Sequence, residues 1–272
     1  MKVAMIQMVS GTQVEANLAR AGALLEQAAA AGARLAVLPE YFCVMGMRDT
    51  DKLALAEAWG GGGPIQSWLA GRARALGLCI VGGTLPIATG SPDRVCNTTP
   101  VYSATGECIA RYDKMHLFRY DNGRESYDEA RVLQAGDAPT AFDVMGDDGQ
   151  PWRVGLSVCY DLRFPELYRH LSRQGCELLL VPSAFTVPTG RAHWDVLLRA
   201  RAIENLAWVG AAAQGGHHEN GRDTWGHSLV IDPWGEVVAC EPQGEAVVLA
   251  ELSRERLSHC RGQLPALAHR RL

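Results

Sequence analysis

No apolar stretch in these 272 residues approaches the ~20 needed to span a bilayer, which excludes a membrane-spanning helix. There is no basic stripe or arginine-rich run of the kind that neutralises a phosphate backbone, and the mild formal net charge of -4 argues against nucleic acid as a partner. A secretory leader is not expected, nor is any other targeting segment, since the chain runs from Lys2 straight into a strand pattern. Neither a paired Cys-x-x-Cys nor a His-Glu-x-x-His occurs, so no sequence-coded metal site is expected. Composition breaks, internal repeats and low-complexity linkers are also missing, and the expectation is one domain over residues 1–272. The 47% of hydrophobic residues is enough for a large core. Eight cysteines, scattered from Cys43 to Cys260, read as reduced thiols of a cytoplasmic protein.

The apolar pattern alternates between strand and helix, as in an α/β fold. Val14 to Ala31 has helical spacing and ends at Gly32, and Leu35 to Leu38 is a strand apolar on both faces that ends at Pro39-Glu40. Gly60 to Pro64 turns into a helix through Leu76, followed by a strand at Leu78 to Gly83. Asn97 to Tyr102 and Glu107 to Tyr112 read as an antiparallel hairpin, so the sheets are mixed. Phe118 to Asp137 lacks a period and is expected to be a long loop with one short helical turn. Val154 to Val158 is a strand cut off by Cys159, and the chain then turns into a helix from Pro165 to Gln174. Pro165 suits the first helical position, and Glu166 complements the helix dipole. A strand at Leu178 to Pro182, a helix from about His193 to Asn205, strands at Leu206 to Ala213 and Ser228 to Asp232, and a last strand ending near Leu252 complete the pattern. The tail from about 253 to 272 is expected to be a docking arm for a second subunit or a frayed end.

Three strand ends each deliver one reactive side chain: Glu40, Lys114 and Cys159. Open α/β sheets build their sites at such ends. A thiolate attacks an amide or nitrile carbon if one group takes its proton and another holds the charge that develops on the substrate. Glu40 and Lys114 fit those tasks, and the Tyr160 backbone N–H at the elbow is a second oxyanion donor. Each residue alone has a bland reading: a buried structural cysteine, a solvated carboxylate, a surface Lys114–Asp113 pair.

The blocks Leu38-Pro39-Glu40-Tyr41-Phe42, Tyr112 to Phe118 and Ser157 to Tyr168 resemble, in order and spacing, the three signatures of the nitrilase superfamily of carbon–nitrogen hydrolases. The resemblance covers almost the whole chain. It implies a four-layer αββα sandwich that dimerises face to face, a Glu-Lys-Cys triad on Glu40, Lys114 and Cys159, and no cofactor. It also implies a second glutamate that orients the lysine, matched by Glu129 ahead of Gly136-Asp137, with Glu125 as a rival. The last third, from Pro182 to Glu204 and from Ala211 to Gly235, resembles the amidase branch and leans towards deaminated glutathione amidases over omega-amidases. The reaction so implied converts a primary amide of a small α-keto acid into the acid and ammonia through a Cys159 thioester. The loop Arg119 to Arg124 departs from both groups.

The substrate-binding set comprises Tyr160, His116, Arg163, and Phe185 with Thr186 as a cavity wall. Arg119, Arg124, Arg163 and Arg191 are the candidates to meet a substrate carboxylate bidentately. Besides a true nitrilase, which would add water to a C≡N triple bond, three competing readings remain on sequence alone. One is a metal hydrolase drawing on His193, His217, His218 and His227, although adjacent histidines on an extended segment point apart. Another is a Cys–His hydrolase in which His193 or His227 serves Cys159. The third is a scaffold without activity, set against the presence of all three reactive residues.

Overall fold

In a computed structural model that describes residues 1–121, 123 and 126–271, alternation along the first strands sorts their side chains into two cores. In β1 (Lys2–Gln7), Val3 and Met5 join one cluster while Ala4 and Ile6 join the other. β2 (Leu35–Val37) and β3 (Cys79–Val81) repeat the division, with Leu35, Val37, Cys79 and Val81 on one side and Ala36 and Ile80 on the other. A strand apolar on both faces must be covered on both. Helices α1 (Val14–Ala30) and α3 (Pro64–Leu76), separated by the short α2 (Asp51–Ala54), cover one face through Leu24, Leu25, Ile65 and Leu69. A second sheet covers the other: a Cβ added to Gly210 of that sheet would lie 2.9 Å from the Met5 sulfur.

The first sheet continues with β4 (Leu85–Ala88), β5 (Val95–Tyr102) and β6 (Cys108–Asp113). A small separate hairpin, β7 (Arg119–Asp121) with β8 (Ser126–Asp128), leads through a 3-10 turn at Glu129–Arg131 to β9 (Leu133–Gln134) on the edge of β5. The second sheet runs in spatial order β10 (Ala141–Met145), β11 (Pro151–Leu156), β12 (Leu178–Leu180), β13 (Trp208–Ala211), β14 (Ser228–Ile231) and β15 (Val237–Glu241). Helices α4 (Pro165–Arg173) and α5 (Val187–Asn205) lie on its outer face through Leu167, Leu171, Trp194 and Leu198. β16 (Ala246–Glu251) returns to the first sheet and pairs antiparallel with β1 from Lys2↔Glu251 to Gln7↔Ala246, so first and last strands close the same sheet. The result is the αββα sandwich of mixed sheets, with β1-β2-β3 and β11-β12-β13 as its parallel centres.

Several elements differ from the sequence reading, and the short α2, β4, β9 and β15 are absent from it. α5 starts six residues earlier than expected, because Pro188 occupies the first turn, where its missing N–H is harmless. The stretch read as a loop from Phe118 contains the β7–β8 hairpin, whose three-residue strands are too short to show a period; its expected helical turn is Glu129–Arg131. β10 was not anticipated. The tail is a helix, α6 (Arg254–Gln263), held on its own chain by buried Leu257 and Cys260 and by Arg254, which donates to Asp148 and Glu177. Among the described residues no helix is long and apolar enough to cross a membrane.

Candidate active site

The ends of β2, β6 and β11 place three side chains at one point between the sheets. Past β2, Gly83 at φ 53 lets the neighbouring chain approach the Pro39 carbonyl so closely that any Cβ there would sit 2.1 Å from it. Tyr41 then takes φ 58, with its N–H donating to Thr84 Oγ1 at 2.9 Å and the Glu40 carbonyl accepting from Gln214 Nε2 at 3.1 Å. Lys114 leaves β6 with its N–H on the Asn97 carbonyl at 3.0 Å, and its side chain is fully buried. Past β11, Cys159 takes φ 50 while its N–H donates to the Pro182 carbonyl at 3.0 Å. Left-handed backbone costs a non-glycine residue on the order of 1–2 kcal/mol. Two of the four such residues described are therefore Tyr41 and Cys159, each held by its surroundings.

The elbow after β11 is a 3-10 turn, Cys159–Arg163, ahead of α4. Its anchor is the buried Asp161 carboxylate, which accepts from the Val158 N–H at 2.8 Å, the His116 N–H at 3.0 Å and the Tyr112 hydroxyl at 2.7 Å. His116 Nδ1 lies 2.6 Å from the same group, and its ring stacks on Phe164 at 3.7 Å. His116 therefore does not line the cavity, contrary to the expectation that placed it among substrate-binding residues. Its place in the lysine block reflects support of the elbow.

At the centre, Lys114 Nζ donates to Glu40 Oε1 at 2.9 Å and to both Glu129 oxygens at 3.0 and 2.8 Å. Glu40 Oε1 also accepts from Asn97 Nδ2 at 2.9 Å, and the Cys159 thiol lies beside the same carboxyl group. Glu129 accepts further from the Tyr41 hydroxyl at 2.8 Å and the Phe118 N–H at 2.7 Å. Two carboxylates thus share one ammonium in a dry site, and their environments separate them. Burial raises the Glu40 carboxyl above its usual range, with Glu129 adding to the effect and Lys114 opposing it. For Glu129 burial is outweighed by the charge and hydrogen bond of Lys114 and by the Phe118 N–H, so it is lowered. Burial alone would lower Lys114, but Glu129 and Glu40 hold it well above its usual range. The Cys159 thiol is pushed well up by burial and then by Glu40, and so rests protonated. One carboxylate is a fixed charge and the other is set to titrate. Such a pairing leaves proton transfer to one of two like groups and electrostatic support to the other.

Glu40, Glu129, Cys159, Tyr160, Phe185 and Thr186 all face one open-mouthed cavity. Arg163 lines it too, its guanidinium 5.7 Å from the Phe185 ring. Arg119 and Arg191 are exposed away from it, and Arg124 and Glu125 lie outside the described residues. His193 meets Arg163 at 3.3 Å and His227 stacks on Trp225, while His217 pairs with Asp223 and His218 with Ser10 and Thr224; none lines the cavity. Sequence reasoning assigned no role to Tyr41, Asn97, Lys52 or Arg222. Tyr41 lay inside a quoted block and Asn97 at the start of the expected hairpin, whereas Lys52 and Arg222 carried no local signal.

The chain matches the family model described as carbon–nitrogen hydrolase over residues 2–261. It is 39% identical over 272 residues to the deaminated glutathione amidase of Synechocystis sp. (strain PCC 6803 / GT-S), covering 98% of this chain and 97% of that one. It is 33% identical over 273 residues to the omega-amidase of Homo sapiens, covering 99% and 95%. The solved structure of Saccharomyces cerevisiae Nit3, described as a member of branch 10 of the nitrilase superfamily, superposes with a TM-score of 0.89 at 30% identity, covering 100% of this chain and 97% of that one. Sandwich, strand-end site and likeness agree: the chain belongs to the carbon–nitrogen hydrolase family of the nitrilase superfamily and is a hydrolase of carbon–nitrogen bonds other than peptide bonds.

Proposed function

We propose that this chain is a thiol-dependent amidase acting on the amide of a small α-keto acid, with deaminated glutathione as the preferred substrate. The observation that carries the chemistry is the buried Lys114 ammonium between Glu40 and Glu129, with the Cys159 thiol beside Glu40. Because the thiol rests protonated, attack needs a base. Glu40 takes the proton as Sγ bonds to the amide carbon, and Lys114 Nζ with the Tyr160 N–H holds the oxyanion. The intermediate collapses by breaking the carbon–nitrogen bond as Glu40 passes the proton to the departing nitrogen. Water, deprotonated by Glu40, then cleaves the thioester, releases the acid and restores the thiol. A base raised above 4.5 is better matched to neutral pH than an ordinary carboxylate. Glu129 never needs to change charge. It keeps Lys114 protonated and in place.

The leaving group differs between the two candidate amides. An omega-amidase substrate such as α-ketoglutaramate releases ammonia. Deaminated glutathione holds a substituted amide and releases cysteinylglycine, so the expectation of a primary amide and ammonia is too narrow for it. The choice rests on the higher identity to the deaminated glutathione amidase. In both substrates the keto-acid carboxylate is assigned to Arg163. All eight thiols are unpaired, which supports a cytoplasmic location. A homodimer is supported by exposed Val196 and Ile203 on the outer face of α5 and by Trp234 in the turn packed beside Ile203.

The test is kcat/KM for deaminated glutathione, α-ketoglutaramate and α-ketosuccinamate side by side, following the acid product. The expected result is a preference for deaminated glutathione of at least roughly tenfold, with all turnover abolished in Cys159→Ala; one charged hydrogen bond made by the longer amide alone is worth about that much. A strong preference for α-ketoglutaramate would turn the assignment to omega-amidase, and no acid from any of the three would overturn it.

A further inference from the structure

The cavity holds a second cationic point that the reaction leaves unused. Lys52, on α2, lines the cavity with its side chain 10% exposed. Among the described residues its ammonium makes no hydrogen bond. Its nearest anion is Asp49 Oδ1 at 3.8 Å, and that oxygen already accepts from Arg222 Nη2 at 2.9 Å. The Tyr41 ring covers another side, 4.5 Å from Nζ. Two other cavity acids are engaged elsewhere: Asp223 with His217 at 2.9 Å and Asp128 with Arg131 at 3.7 Å. An ammonium has three donors and is expensive to bury without acceptors. Here burial lowers the affinity of Lys52 for its proton, only partly offset by Asp49.

We propose that Lys52, with Arg222 beside it, is a specificity-determining residue that receives a second carboxylate of the substrate, remote from the scissile amide. Lys52 and Arg222 share the single carboxylate of Asp49, and Glu129, the next acid acting on Lys52, is already held by Lys114, so the pair suits a monoanion such as a carboxylate. The partner to this subsite is Arg163, carried by the 3-10 turn of the second sheet, whereas α2 belongs to the connections of the first. A substrate anchored by both carries a carboxylate at each end with the amide between. Deaminated glutathione has that form, since its keto acid and its glycine both end in carboxylates. Short keto-amides offer only one. The identity of the substrate rests on the amidase reading; the presence of the anion subsite does not.

Binding to Cys159→Ala, which removes turnover from the question, gives the test. Calorimetry compares N-glutarylglycine, an amide with a carboxylate at each end, with N-glutarylglycinamide, whose glycine end is neutral. The diacid is expected to bind roughly 10–100-fold more tightly, as for a desolvated charged hydrogen bond. Adding Lys52→Met should shrink that ratio to about twofold, and Lys52→Arg should retain most of it, with thermal melts confirming that both variants fold. An unchanged ratio in Lys52→Met, or equal weakening of both ligands, overturns the proposal. In the Cys159 enzyme, Lys52→Met should raise KM for deaminated glutathione and leave kcat for α-ketoglutaramate within about twofold. A uniform fall in kcat would assign Lys52 to the support of Glu129 instead. If no amide is hydrolysed but the binding ratio depends on Lys52, the amidase reading fails and this one stands.

Discussion

The floor of the cavity and its rim are built on different terms. The floor, Glu40 and Cys159 with the buried Lys114 beneath them, sits at strand ends where side chains are nearly sealed from solvent and the backbone at Tyr41 and Cys159 is held in left-handed conformations. The rim comprises the β7–β8 hairpin, the four-residue α2 and the loop carrying Arg222, with half-buried charges and stacked rings such as Phe118 on Tyr120. A floor that is dry and pre-arranged can shift carboxylates apart and hold a protonated thiol beside its base. A rim of short elements can change its charges without disturbing that arrangement. On the proposed reading, chemistry belongs to the floor and substrate choice to the rim.

The comparison breaks most visibly if the floor tolerates change. Replacing Glu40 with Gln should lower kcat/KM by roughly 10²–10⁴, the worth of a general base, with little loss of folded stability; a near-native rate would transfer the base role elsewhere. Next, Glu129→Gln should lower kcat by on the order of 10², as for loss of one electrostatic stabiliser, and should also move the pH profile. Activity falls as Glu40 takes up a proton, so its raised affinity places the acid limb of kcat/KM above 4.5. Because Glu129 adds to that rise, its removal should shift the limb to lower pH; a limb unmoved in Glu129→Gln would mean that another group sets it.

Asp161→Asn tests the support beneath the floor. It leaves buried donors of Val158, His116 and Tyr112 poorly matched and should destabilise the fold by about 1–3 kcal/mol in urea unfolding. The smallest effect belongs to the rim: Arg163→Met should raise KM for keto-acid amides about tenfold with kcat within about twofold, as expected when a binding contact is equal in ground and transition states. A fall in kcat of the same size would erase the distinction between floor and rim.

The same division governs what could be read before folding. Glu40 and Cys159 each follow an apolar run, with run, stop and reactive side chain contiguous, and Lys114 closes the second strand of the expected hairpin, so all three are visible in short windows. Glu129 emerged only through resemblance, since nothing local separates it from Glu125. The rim depends on pairs far apart in the chain, as with Asp49 and Arg222, 173 positions apart, and no window reports them. His116 shows the opposite hazard. It lies two residues from Lys114 and was grouped with the binding residues, yet its direction is set by Asp161 and Phe164. β10 was legible in principle, with Phe142 and Val144 buried between exposed Asp143 and Met145, but five residues beside an irregular stretch did not stand out. The start of α5 was hidden because Pro188 reads as a breaker unless it falls in the first turn.

The central claim is that the Cys159 sulfur becomes acylated while Glu40 moves its proton. Rapid acid quench during turnover of deaminated glutathione, followed by intact-mass and peptide-mass measurement, addresses it directly. The expected result is the mass of the keto-acyl group on the peptide containing Cys159, more abundant when water attack is slowed. Turnover with Cys159 never modified, or with the acyl group on another residue, would contradict the account.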